Sequence, residues 1–136
     1  MLTIFTPTFN RAHTLPRLYD SLVKQTDYNF EWLIVDDGST DNTTQVVESF
    51  DTKKFNIRYI KQKNGGKHIA SNVGLKVAKG DIFVVLDSDD WFYPNAVEVF
   101  NTKFRNHKDM KALITLDTYE NGEVIGEKLP EIEKVN

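Results

Sequence analysis

Three carboxylates fall within four positions at Asp87-Ser88-Asp89-Asp90, and a second acidic pair stands at Asp36-Asp37. Charges of one sign held this close repel, by roughly 4 kcal/mol for two charges about 4 Å apart at an effective dielectric near 20. A cluster that stays ionised needs a cation, and hard oxygen ligands suit Mg²⁺ or Mn²⁺. The plainer alternative is that acidic residues after strands cap helices and shape turns. Two clusters, each closing an apolar run, weigh toward a ligand-facing role, for Asp36 and Asp89 above all.

Two further stretches have chemistry to offer. Thr6-Pro7-Thr8-Phe9-Asn10-Arg11 closes the first apolar run. Phe9 there is either a core residue or an aromatic face on which a flat base stacks, and Arg11 is either a surface charge or an anion partner. Asn64-Gly65-Gly66-Lys67-His68 leads into a helical pattern. Glycines before a helix start let the backbone approach a phosphate, and the helix N-terminus adds partial positive charge. The stretch lacks the spacing and the Lys-Ser/Thr ending of a Walker loop, and it is not the dinucleotide fingerprint. His68 reads as a surface residue, and His13 and His107 have no partner the sequence names. Trp91, Phe92 and Tyr93 read as packing residues that hold the acidic loop against the next helix.

Strands must carry these loops. Ile82 to Leu86 is an unbroken apolar run after Gly80, which predicts a strand buried on both faces of a parallel sheet. Leu2 to Phe5, Phe30 to Val35 and Ile57 to Ile60 are three more, and Pro7 ends the first because it cannot donate to a central ladder. Helical spacing recurs between them. Thr14 is a candidate N-cap with Pro16 in the first turn, followed by Leu15, Leu18 and Leu22. Gly38 to Asn42 caps a helix that turns Val46, Val47 and Phe50 inward. Ile69, Val73 and Val77 give a third inward stripe, closed by Gly80 as a C′ glycine. Pro94 opens a fourth helix with Val97, Phe100 and Phe104 on one face. Ala112 to Thr118 is another strand, and Asn121-Gly122 is a hairpin turn that returns Glu123 to Ile125 antiparallel. The tail from Leu129 is polar. Alternating strands and helices imply right-handed crossovers and an α/β, Rossmann-like three-layer sandwich with a mostly parallel central sheet. In such sheets ligands bind beyond the carboxyl ends of the strands, where both acidic clusters fall.

The chain has 136 residues, which fits a single domain over 1–136, with 40% hydrophobic and 27% charged residues. A net charge of −3 argues against nucleic acid as a partner. Cysteine is absent, which excludes disulfides, thiolate metal sites and a cysteine nucleophile, and leads to the expectation of a cytoplasmic protein. No apolar run reaches the roughly 20 residues of a membrane helix, and the first residues do not read as a signal peptide.

The residues just quoted resemble the opening of family 2 glycosyltransferases with the GT-A fold. The resemblance is carried by Thr6-Pro7-Thr8-Phe9-Asn10-Arg11, by Leu15 and Leu18, by Ser21 to Thr26, and by Glu31-Trp32-Leu33-Ile34-Val35-Asp36-Asp37-Gly38-Ser39-Thr40-Asp41. Asn64-Gly65-Gly66-Lys67 resembles the family's Asn-x-Gly loop, Ala70-x-Asn72-x-Gly74 its helix motif, and Leu86-Asp87-Ser88-Asp89-Asp90 its metal-binding Asp-x-Asp motif. The match runs over about residues 2 to 100 in order and register. It implies a nucleotide-diphosphate-sugar donor, most often a UDP sugar, with Mg²⁺ or Mn²⁺ as cofactor. By position Pro7 and Phe9 would line the base pocket, with Thr6 and Arg11 in the same nucleotide-binding set. Asp36 would accept the base N–H. Lys67 would approach the base or diphosphate, Asp87 or Ser88 would lie near the ribose, and Asp89 would ligate the metal. A divalent ion would let a diphosphate enter an acidic pocket and would stabilise the departing nucleoside diphosphate.

The resemblance further implies transfer of a hexose to a glycan or lipid-linked acceptor with inversion. A lipid-linked acceptor brings peripheral association at the inner face of the plasma membrane into the expectation. Inverting members use an Asp or Glu as general base well beyond the Asp-x-Asp motif. This chain continues for only 46 residues past Asp90, so the acceptor part is expected to be missing, and neither Asp117 nor Glu120 is assigned as the base. A sheet edge left open in this way is a surface on which two copies pair as a homodimer. The competing expectation is a non-catalytic nucleotide-sugar-binding module or an inactive fragment. A sugar-nucleotide pyrophosphorylase is disfavoured, because no Gly-rich basic signature follows the first strand.

Overall fold

The computed structural model describes residues 1–109 and 117–125. The chain divides into two compact units, Met1–Asn106 and His107–Asn136. In the first, β1 (Leu2–Thr8), α1 (Leu15–Val23), β2 (Phe30–Asp36), α2 (Thr43–Glu48), β3 (Asn56–Lys61), α3 (Lys67–Val77), β4 (Ile82–Val85) and α4 (Ala96–Asn106) follow one another. The four strands form one sheet in the order β3-β2-β1-β4, all parallel. The two central strands are buried at every position, as an apolar run between two helical layers requires.

Register brings the candidate loops together. Thr8 pairs with Asp36 at the tips of β1 and β2, and Val85 of β4 pairs with Phe5. Asp87 therefore leaves the sheet at the level of Pro7, and three loops emerge at one carboxyl edge.

Phe5, Leu33, Val35 and Ala70 form the core beneath α3, joined by the partly buried Ile60, Val73, Val77 and Phe83. The opposite face is aromatic. Trp32 lies 5.7 Å from Phe50, and Phe50 stacks on Tyr19 of α1 at 4.3 Å. At the other end of the strands Glu31 is buried and fully engaged. It accepts from the Thr3 hydroxyl at 2.7 Å, from the Lys79 N–H at 2.7 Å and from Arg58 at 3.0 Å. Burial pushes its carboxyl up, but these donors outweigh it and hold Glu31 below its ordinary value.

Four expectations change. On α3, Val73 and Val77 pack against the core as expected, but Ile69 is 41% exposed and the buried positions are Ala70 and Gly74. Phe5 is the reason, because a Cβ on Gly74 would stand 2.5 Å from its ring. Gly80 is not a left-handed C′ glycine, and Ala78 caps α3. Glycine is needed there because β1 passes so close that a Cβ would meet the Thr3 nitrogen at 2.4 Å. Among the described residues β4 pairs with β1 alone, so it is an edge strand and Val85 is 55% exposed rather than buried on both faces. Thr14 holds the N-cap position of α1 but makes no capping bond, since its hydroxyl donates to the Arg11 carbonyl instead.

In the second unit Thr118 bridges Val124 antiparallel, with Gly122 at φ +86° and the Tyr119 N–H donating to the Glu123 carbonyl at 2.8 Å. That is the hairpin the Asn-Gly pair predicts. Most of the strand expected over Ala112 to Thr118, and the tail from Leu129, lie outside the described residues. No helix among the described residues is long and apolar enough to cross a membrane.

Candidate functional site

A cleft of about 320 Å³ opens at the carboxyl edge of the sheet. Pro7, Thr8, Phe9 and Arg11 line it from the first loop, Asp37 from the second, Lys67 and Ala70 from α3, and Asp87, Ser88 and Asp89 from the loop after β4.

The first loop is stitched to the second by Asn10, which sits at φ +52°, a conformation asparagine tolerates better than most residues. Its side-chain oxygen accepts from the Thr40 N–H at 2.8 Å and the Asp41 N–H at 3.3 Å, and its own N–H donates to the Ser39 hydroxyl at 2.8 Å. Asp41 continues the seam by accepting from the Ala12 N–H and from the Thr43 hydroxyl and N–H. Desolvation raises its carboxyl, and these donors more than offset it, so Asp41 lies below its ordinary value. The turn presents Phe9, 45% exposed, as an aromatic face in the cleft. Among the described residues the Arg11 guanidinium beside it has no side-chain partner.

Asp36 and Asp37 have different surroundings. Asp36 is fully buried. One of its oxygens accepts from the Ser39 N–H at 2.8 Å and the Ser39 hydroxyl at 2.6 Å, and the other accepts from the Tyr59 hydroxyl. Burial, with the Asp36 carboxylate beside it, pushes the Tyr59 phenol up to about 12. Asp37 is the residue that reaches the cleft. Its Oδ1 accepts from Gln62 and from the Gly65 N–H, both at 2.8 Å, and its Oδ2 accepts from the Gly66 N–H at 2.8 Å. Burial pushes this carboxyl up too, and the three donors bring it below its ordinary value. An ionised carboxylate oxygen takes two donors, so Oδ2 keeps one acceptor site. The two glycine N–H groups are spent on Asp37, which corrects the expectation that this loop offers its backbone to a phosphate.

Lys67 donates to both oxygens of Asp87, at 2.8 and 2.9 Å. Ser88 is buried and Asp89 exposed. The Asp89 carbonyl accepts from Arg17 of α1 at 2.9 Å, and the same guanidinium lies 3.9 Å above the Trp91 ring. Only part of the aromatic trio packs as expected. Phe92 meets Phe100 edge-on at 5.5 Å, while Trp91 and Tyr93 are 37% and 51% exposed.

The structure thus brings Pro7, Phe9, Arg11, Lys67, Asp87, Ser88 and Asp89 to one cleft. Thr6 and Asp36 lie outside its lining. Thr6 is fully buried and accepts from the Trp32 indole N–H at 2.9 Å. Sequence reasoning passed over Thr8, whose buried hydroxyl has no partner among the described residues. It also passed over Arg17, whose link to the acidic loop spans 72 residues and leaves no local signal.

A divalent ion fits this donor set in one particular way. Among the described residues no three potential ligand side chains converge. Asp89 offers a hard carboxylate at the cleft, and Asp87 stands two residues away behind Lys67. That suits an ion held by one or two carboxylates and completed by water and phosphate oxygens, which is the habit of Mg²⁺.

A model of the family described as Glycosyl transferase family 2 matches residues 3–131. A chondroitin synthase of Pasteurella multocida is 36% identical over 115 residues, which cover 85% of this chain and 12% of that one. Among solved structures, S. aureus TarS 1-349 in complex with UDP-GlcNAc matches with a TM-score of 0.71 and 32% identity, over 79% of this chain and 32% of that one. The mannosyltransferase PcManGT from Pyrobaculum calidifontis, in complex with GDP-Man and Mn²⁺, matches with a TM-score of 0.63 and 28% identity, over 67% of this chain and 28% of that one. The chain spans a third or less of the length of each of these three proteins.

Proposed function

The chain belongs to glycosyl transferase family 2, and from that premise we propose that its cleft binds a nucleoside-diphosphate sugar, a UDP sugar by preference, for transfer to a glycan or lipid-linked acceptor with inversion. The observation that carries the reading is that one cleft gathers two chemically different sets of side chains. One set is the Phe9 ring and the spare acceptor site of Asp37. A flat base with an imide N–H matches both, by stacking and by one charge-assisted hydrogen bond. We assign this role to Asp37 in place of Asp36, because the oxygens of Asp36 are closed in by Ser39 and Tyr59.

The other set is Arg11, Lys67, Asp87, Ser88 and Asp89. Arg11 pairs with a diphosphate oxygen, and Ser88 faces the ribose. Asp89 holds the divalent ion, which when bound supplies positive charge to the departing diphosphate. Asn10 and Asp36 act one layer back, fixing the first two loops so that base and diphosphate meet prepared partners. The UDP-GlcNAc complex of TarS supports the donor class, and the Mn²⁺ complex of PcManGT supports a metal. A chondroitin synthase among the relatives supports a glycan acceptor.

Calorimetry with UDP, with and without Mn²⁺, tests the proposal. Binding is expected to need the ion, and Asp89→Ala is expected to abolish the metal-dependent part of the affinity. Binding of equal strength without metal, or none to any nucleoside diphosphate, would refute it.

A further inference from the structure

Lys67 caps both oxygens of Asp87, the first carboxylate of the acidic loop. Lys67 thereby occupies one acceptor site on each Asp87 oxygen and offsets its charge, while the Asp89 carboxylate two residues on accepts from no side chain among the described residues. Both members of the pair are exposed, with Lys67 at 61% and Asp87 at 41%, and pairs this exposed are weak because water and salt screen them. The place of the ammonium is also uncomfortable. Lys67 is the first residue of the 11-residue α3 and has no acidic residue in that first turn. The positive end of the helix dipole repels a cation there, so the ammonium relies on an anion brought by another element. Its flexible four-carbon stem lets it change that anion.

We propose that Lys67 is a displaceable counter-ion. It neutralises Asp87 while the cleft is empty. When a nucleoside diphosphate enters, Lys67 moves to the phosphates and releases Asp87 as a second carboxylate for the divalent ion. The exchange keeps every charge paired: carboxylate with ammonium before, carboxylate with divalent cation and ammonium with phosphate after. It makes ion and donor favour each other's binding, and such coupling is reciprocal. The inference rests on the reading of the cleft as a nucleoside-diphosphate site. A fixed strut between α3 and the acidic loop predicts something else, since its loss would weaken both ligands together.

The test is a titration of Mn²⁺ alone, followed by water-proton relaxation, into the 136-residue chain and its Lys67→Met variant without nucleotide. Lys67→Met is expected to bind Mn²⁺ about fivefold more tightly, the factor by which an exposed ion pair competes. Adding Asp87→Asn to that variant is expected to remove the gain. With Mn²⁺ saturating, UDP is expected to bind Lys67→Met about tenfold more weakly than wild type, as for a lost charge-assisted contact. The proposal is overturned if Lys67→Met binds Mn²⁺ no better than wild type, or if the gain survives Asp87→Asn and is a through-space effect. Failure of wild type to bind UDP with Mn²⁺ present would sink the donor reading instead, and the nucleotide-free titrations separate the two.

Discussion

Asp36 closes a strand and Asp37 opens a loop, and that one step of backbone decides which carboxylate lines the cleft. Asp36 is held in the ladder opposite Thr8 and Lys61, where neighbours cover it. Asp37 leaves the ladder and turns toward the glycine loop. Replacing it as Asp37→Asn puts an amide NH2 in place of one oxygen, against either the Gly66 N–H or the donors from Gly65 and Gln62, and weakens the acceptor proposed for the base. Loss of a hydrogen bond to a charged group is worth about 2 kcal/mol, so UDP affinity is expected to fall roughly 30-fold, as calorimetry would read it. An Asp36-like behaviour, with binding kept and only folding impaired, would contradict the assignment. The acidic clusters were legible in the sequence because apolar runs precede them. The choice between two adjacent aspartates was not, since it depends on a turn whose partners, Gln62 to Gly66, lie 25 or more residues away.

Element packing turns on small residues as much as on large ones. Gly74 and Ala70 let α3 settle against the Phe5 ring. Exposed helix interiors gain about 1 kcal/mol from Gly→Ala, but here the new methyl would land 2.5 Å from a ring that is fully buried and stacked on Phe83. Overpacking typically costs about 1–3 kcal/mol. Gly74→Ala is therefore expected to lower the urea midpoint, with a net loss of up to about 2 kcal/mol, and a rise in the midpoint would show that Phe5 can move aside. The helix itself was legible from its spacing. Its buried side was legible only in part: Val73 and Val77 do pack against the core, but Ile69 turns outward and the closest approach, at Ala70 and Gly74, is marked by the absence of bulk. The same limit explains β4: an apolar run announces a strand, but its place at the edge of the sheet depends on which neighbours pair with it.

Across the molecule, buried carboxylates set an acid limit to folding. Glu31 and Asp37 are held below their ordinary values of 4.5 and 3.8. A lowered folded value means that the unfolded chain binds more protons, so stability is complete above those values and drains away as pH falls through the folded ones. Urea midpoints are expected to be flat from pH 7 to about 5 and to drop below about 4.5. In Glu31→Gln the whole curve should be lower and the acid slope shallower, and an unchanged slope would show that Glu31 carries none of it. Tyr59 works at the other extreme. Its raised value means that the folded state keeps the proton longer, so its contribution is lost as pH rises from 10 toward about 12. The α/β class and the parallel sheet were legible from alternation alone, whereas Glu31, buried at the opposite end of the strands, looks in sequence like any charged residue between apolar ones.

The clamp of Arg17 over Trp91 gives the acidic loop a built-in optical reporter. The chain has two tryptophans. Trp32 is sealed in the core and emits from an apolar surrounding, whereas Trp91 is half-open to water two positions from Asp89. Emission from the red side of the spectrum therefore belongs to Trp91, and a change confined to that side would register an ion or a nucleotide arriving at the loop, with no dye attached.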